Sequence, residues 1–163
     1  MSPISRIIAA SLLVAVAAAG SAWAQNVQGN PAYGVVALTS GFTPDPKVIN
    51  VQSGGDVNSA TLNSQAHTGT CGGNIATAPD VRLNFTAAQL PLIISVDSET
   101  DTTLVINGPD GHWYCDDDSG QGPLNPAVRF EHPASGQYDI WVGTYRDNQL
   151  HPAELNISEL SSK

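Results

Sequence analysis

"TTLVINGPDGHWYCDDDSGQGPLNPAVRFEHPASGQYDIWVGTY", Thr102–Tyr145, decides the fold. It contains short runs of strand character and no helical repeat. "TTLVING" (Thr102–Gly108) ends in Gly-Pro-Asp-Gly (Gly108–Gly111), a composition that closes a tight turn. Pro presets φ, Asp bonds to nearby backbone, and Gly accepts positive φ. "HWYCD" returns from that turn, and "AVRFEH" (Ala127–His132) follows. Pro133–Gly136 then turns the chain into "GQYDIWVGTY", Gly136–Tyr145. In that last run, alternation puts Tyr138, Ile140 and Val142 on one face and Asp139, Trp141 and Gly143 on the other. One face must be core, so at most one of Tyr138 and Trp141 is left to bind a ligand; filling the core is the expected role of these aromatics.

Outward from this stretch the pattern continues. "YGVVALTS" (Tyr33–Ser40), "KVINVQS" (Lys47–Ser53), "VRLNFTA" (Val81–Ala87), "LPLIISVDS" (Leu90–Ser98) and "AELNISEL" (Ala153–Leu160) read as strands. Turn residues separate them at Thr43–Pro46 and Ser53–Gly55. The recurrence, about every 8 to 12 residues, is that of a β-sandwich or barrel. Thr86–Leu90 is the best helix candidate, equally readable as a loop. Asn58–Thr77, rich in Ser, Thr, Asn and Gly, reads as a long loop around one strand, tethered by Cys71.

Residues 1–24 form a charged head, an apolar run from Ile7 to Ala19, and Ala22-Trp23-Ala24 at the expected cleavage point. This is the pattern of a secretory signal peptide, too short for a membrane span. The remainder, 25–163, is expected to be one exported domain, secreted or periplasmic. It keeps five Lys or Arg against fifteen Asp or Glu, a formal charge of −10. That sign disfavours nucleic acid and anionic membrane as partners and makes cations the natural counter-charge. Cys71 and Cys115, an even pair in an oxidising compartment, are expected to form a disulfide.

Ser95–Tyr145 resembles the bacterial pre-peptidase C-terminal (PPC) domain family. The likeness lies in an ordered series: Asp101–Ile106, the Gly-Pro-Asp-Gly turn, Asp-Asp-x-Ser-Gly (Asp116–Gly120 region), Asn125-Pro126, and Pro133 to Tyr145. The two cysteines depart from what the family generally needs. The resemblance implies an antiparallel β-sandwich of jelly-roll type with about eight or nine strands. It also implies a non-catalytic accessory module of secreted bacterial proteins, some of which bind calcium or extracellular polymers.

The acidic clusters carry the remaining chemistry. Asp116, Asp117 and Asp118 share one tight loop, where like charges repel unless a cation sits among them. Asp97, Glu99 and Asp101 lie at a strand end. If loops gather at one end of a sandwich, Asp97, Asp101, Asp116, Asp117 and Asp118 form a candidate calcium site, since calcium takes several hard oxygen donors. The competing reading is that these acids cap turns and face water. A second alternative is a small serine hydrolase. "DSGQGPL" (Asp118–Leu124) resembles a serine-protease nucleophile loop, with Ser119 as nucleophile, His67 as base and Asp97 or Asp101 as orienter. The inserted Gln121 disturbs a loop whose N–H groups must converge on an oxyanion, which argues for coincidence. The histidines lack metal-ligand spacing. The functional expectation is an exported, non-catalytic binding module with an extracellular protein or polysaccharide partner; a structural surface or matrix role is the further alternative.

Overall fold

The computed structural model describes residues 25–163, so the expected signal peptide lies outside the described residues. Two sheets pack face to face. The larger runs β1 (Val35–Thr39), β6 (Val81–Thr86), β11 (Gly136–Thr144), β8 (Thr102–Asn107), β9 (Trp113–Asp116) and β4 (Ala66–Thr68), with the short β5 (Asn74–Ile75) paired to β11 and β3 (Val57–Asn58) paired to β5. The smaller runs β10 (Ala127–Phe130), β7 (Leu92–Asp97), β12 (His151–Ser158) and β2 (Lys47–Ser53). This is the all-β sandwich that the alternation requires.

Pairing is antiparallel except at two places: β1 lies parallel to β6, and β4 parallel to β9. Neither parallel pair is joined by a hairpin, so no turn signal in the sequence announces it. The strands also outnumber the expected eight or nine, because the Asn58–Thr77 region contains more order than its polar composition suggests. A 3-10 helix, Ser59–Gln65, opens there; Asn58 caps it by accepting the Ala60 N–H at 2.9 Å. Thr86–Leu90, the helix candidate, instead leaves β6 as a bend.

The main core lies between the sheets. Leu83, Leu104, Ile106, Tyr138, Ile140 and Val142 from the large sheet meet Leu92, Ile94, Val96, Leu155 and Ile157 from the small one, all essentially inaccessible to water. Each such side chain, fully buried, contributes roughly 1.5–3 kcal/mol of transfer free energy. Tyr138 also donates its hydroxyl proton to the Ala134 carbonyl (2.8 Å), which fixes the Pro133–Gly136 corner.

The large sheet is covered on its other face as well. Val105, Trp113, Cys115 and Trp141 point away from the main core and bury against Leu62, Cys71 and Ile75 of the Val57–Ile75 excursion. Both Tyr138 and Trp141 are therefore core, in two separate clusters, where alternation requires only one of them to be. The expected disulfide joins Cys71 to Cys115, Cα atoms 5.0 Å apart, in the middle of this second cluster. Close packing there leaves no room at Gly69 (φ +72), where a Cβ would strike the Cys115 carbonyl oxygen. The Trp141 indole N–H finds no hydrogen-bond partner among the described residues, so shape rather than polarity holds the ring.

Candidate functional site

The loop joining β9 to β10 carries the Asp-Asp-Asp-Ser-Gly stretch. Asp116 organises it. Its Oδ2 accepts the N–H groups of Ser119 (2.8 Å) and Ala127 (2.9 Å), and its Oδ1 accepts the Ser119 hydroxyl (2.7 Å). One carboxylate thus closes the turn and pins the start of β10, the role an Asp side chain takes beside backbone donors. Asn125 extends the clasp: its Oδ1 accepts the Ser98 N–H at 3.1 Å, and its carbonyl accepts the Gly120 N–H at 2.8 Å. A Cβ at Gly120 would lie 2.7 Å from the Asn125 oxygen, so the turn is closed to larger residues.

The hydrolase constellation is distributed differently. Ser119 donates to Asp116, and no hydrogen bond joins it to an imidazole among the described residues. His67, on β4, stacks on His112 with ring centroids 5.1 Å apart and meets Tyr114 edge-on at 5.5 Å. Tyr114 donates to Asp110 at 2.5 Å, and Asp110 also accepts the His112 N–H at 3.0 Å. Burial opposes ionisation of Asp110, but the bonds from Tyr114 and His112 outweigh it and hold the carboxyl below its ordinary range. Tyr114 is pushed up to about 12 by burial and by the Asp110 carboxylate. This group escapes sequence reading because the parallel β4–β9 pairing brings His67 to His112.

The five predicted calcium ligands divide. Asp101, Asp117 and Asp118 come within electrostatic range of one another. Burial, then Asp118 and Asp117, push the Asp101 carboxyl up, with Arg146 offsetting part of this. Burial, then Asp118 and Asp116, do the same to Asp117. The Asp101 Oδ1 is buried with no hydrogen-bond partner among the described residues. Asp116 spends both oxygens on the loop. Asp97 leaves the group altogether for the outer face of the small sheet. Among the described residues, no three or more His, Cys, Asp or Glu side chains gather as a metal-binding group.

Around Asp97 a shallow groove runs over β2, β12 and the start of the β7–β8 connection, lined by Asn50, Gln52, Asp97, Ser98, Glu99 and Glu154 among others. Asp97 and Glu154 stand directly opposite each other across the β7–β12 ladder. Both are exposed, as is Glu99, and no Lys, Arg or His lines the groove. Like charges at directly opposed positions destabilise a sheet. Alternation alone does not single out Glu154, because its opposition to Asp97 depends on strand register.

No family model matches the chain. Over 67 residues it is 45% identical to an uncharacterized protein of Synechococcus elongatus, a stretch covering 41% of this chain and 46% of that protein. The match thus spans about half the length of that curated relative. Among solved structures the chain is similar to PliG of Aeromonas hydrophila, a periplasmic inhibitor of g-type lysozyme, at 14% identity and a TM-score of 0.36, over 76% of this chain and 96% of that one. A likeness at that level carries neither PliG's partner nor its binding surface to this chain. No helix of the described residues is long and apolar enough to cross a membrane.

Proposed function

We propose that the chain is an exported, non-catalytic binding module that engages a cationic partner through the acidic groove on its small sheet. The observation that carries this is the Asp97–Glu154 opposition. A fold gains nothing from two exposed carboxylates facing each other, and departures from local stability are expected where a surface serves something else. A positively charged partner supplies the missing counter-charge. The Cys71–Cys115 disulfide supports an oxidising compartment, and the PPC-like series from Ser95 to Tyr145 supports an accessory role.

The test pairs two readouts on an Asp97→Asn/Glu154→Gln variant. Binding to a fluorescent oligolysine probe is expected to weaken by about tenfold or more at low salt, while Tm rises, since the repulsion is gone. Unchanged binding, or a lower Tm, would overturn the reading.

Calcium belongs to the same proposal at a different place. The buried, unpartnered Asp101 Oδ1, on a carboxyl pushed up by burial and by Asp118 and Asp117, supports Asp101 as its anchor. Because these acids do not gather into a ligand set by themselves, backbone carbonyls and water would have to supply most of the donors. Calcium at about 100 times its Kd is then expected to stabilise by about 2.7 kcal/mol, and Asp101→Asn to remove the effect. No Tm shift at millimolar calcium removes the site.

A further inference from the structure

The four histidines are scattered along the sequence with no metal-ligand spacing, yet the fold brings two of them together. β4 and β9 run parallel, with Ala66 opposite Trp113 and Thr68 opposite Tyr114. Three residues of β4 thus stand against two of β9, and His67 is the extra one. A residue inserted in this way is left unpaired, and bulges at sheet edges serve to re-aim a side chain. β4 is an edge of the large sheet, and there His67 stacks on His112.

The pair is held from several sides. Two residues after His67, a Cβ on Gly69 would strike the Cys115 carbonyl oxygen, and the Cys71–Cys115 disulfide fastens the same segment to β9. The Tyr114 ring backs His67 edge-on, and its hydroxyl is anchored on Asp110, which also accepts the His112 N–H. Tyr114 meets Phe130 edge-on in turn, and Phe130 meets Tyr138 of the main core. Both imidazoles are nonetheless exposed. Supported from beneath and open above, they have the preorganisation a ligand pair needs.

The spacing fits one ion. With metal–nitrogen bonds of about 2.0–2.1 Å, two imidazoles on a tetrahedral ion hold their ring centroids roughly 5 Å apart. The observed separation is 5.1 Å, with the rings 24° from parallel. We propose that His67 and His112 form a two-imidazole site for a divalent transition-metal ion, Cu²⁺ above Zn²⁺. Among the described residues no group of three His, Cys, Asp or Glu gathers, so water fills the remaining positions. Neutral imidazole suits copper and zinc, whereas calcium and magnesium take oxygen; the affinity order of divalent ions sets Cu²⁺ above Zn²⁺. The acidic net charge of the chain draws cations toward it. The site is independent of the acidic groove, which lies on the small sheet.

Titration calorimetry of the purified chain with ZnCl₂ and with CuCl₂, in a buffer that does not coordinate metal, tests it. Two protein ligands in place of four predict a Kd of about 1–100 μM for Zn²⁺, with Cu²⁺ about tenfold or more tighter. In the unaltered chain, the ring resonances of His67 and His112, and not those of His132 and His151, are expected to shift with Zn²⁺. His67→Ala and His112→Ala are each expected to weaken Cu²⁺ binding by about tenfold or more, with Tm unchanged because both positions are exposed. His132→Ala and His151→Ala are expected to leave binding as it is, and Ca²⁺ at about 1 mM not to displace the ion. The proposal is overturned if neither metal binds at about 1 mM, or if both His67→Ala and His112→Ala bind Cu²⁺ as tightly as the wild type. Zn²⁺ shifts confined to His132 or His151 overturn it without any variant.

Discussion

Asp80 shows what a single side chain does in this fold. Between Ile140, the last β11 residue paired with β6, and Thr144, paired with β5, the β11 ladder has a gap. Asp80 fills it, its Oδ2 accepting the Val142 N–H at 2.7 Å, while the Gly54 N–H donates to the Val142 carbonyl. The carboxyl is 3% exposed, and burial pushes it up from 3.8 to about 7, the Val142 bond opposing only part of the rise. An acid raised in the fold binds more protons folded than unfolded, so its contribution is fully present below about pH 4 and is lost as pH rises toward 7. Asp80→Asn keeps an acceptor for Val142 and carries no charge. It is expected to flatten the loss of stability between pH 4 and 7 and to stabilise at pH 8 by up to about 4 kcal/mol. Chemical denaturation across that range reads both, and an unchanged pH slope contradicts the account. Nothing in "TAPDVRL" marks Asp80 for burial, because the gap it fills is made by strands distant in sequence. Asp116 is more legible: an Asp three residues before Ser-Gly is a turn former on its face, and it is one.

At the scale of elements, two tethers hold chain segments against the large sheet. Arg82 donates to Asp139 (2.6 Å) and to the carbonyls of Val27 and Gly29, fixing the stretch before β1 to the outer face. Arg82→Ala leaves Asp139, whose side chain is 4% exposed, without its counter-charge. A loss of about 3 kcal/mol is expected in urea unfolding, as for other broken buried pairs; a loss under about 1 kcal/mol would place the bridge among weak surface pairs. The second tether is the disulfide, spanning 44 residues. Its removal in a Cys71→Ser/Cys115→Ser chain is expected to lower stability by about 4 kcal/mol, with tryptophan emission shifting red as water reaches Trp113 and Trp141. Unchanged emission would mean that the excursion packs without its clasp. The strands of this region are legible wherever alternation is strong, as in β8, β9 and β11. β3, β4 and β5 are not, because runs of two or three residues are too short to carry a period and owe their conformation to the sheet beside them.

For the molecule as a whole, a sheet buried on both faces explains why the sequence looks richer in binding aromatics than the surface is. Trp113, Tyr138 and Trp141 serve the two cores. What remains outside is mostly acid, hydroxyl and amide, with scattered apolar side chains such as Val35, Leu150 and Leu160 and none of the three tryptophan or tyrosine rings of the cores. The sandwich itself is readable from period and turns alone. Which acids share a face is not, since register decides it: Asp97 joins Glu154 and leaves Asp101 behind. The central claim is that the Asp-Asp-Asp-Ser-Gly loop is a structural turn and the chain acts through its surface. It is tested most directly by exposing the folded chain to a fluorophosphonate probe and mapping adducts by mass spectrometry. The account predicts no adduct at Ser119, whose hydroxyl serves Asp116. Labelling of Ser119 that disappears in Ser119→Ala, and in His67→Ala, would contradict it.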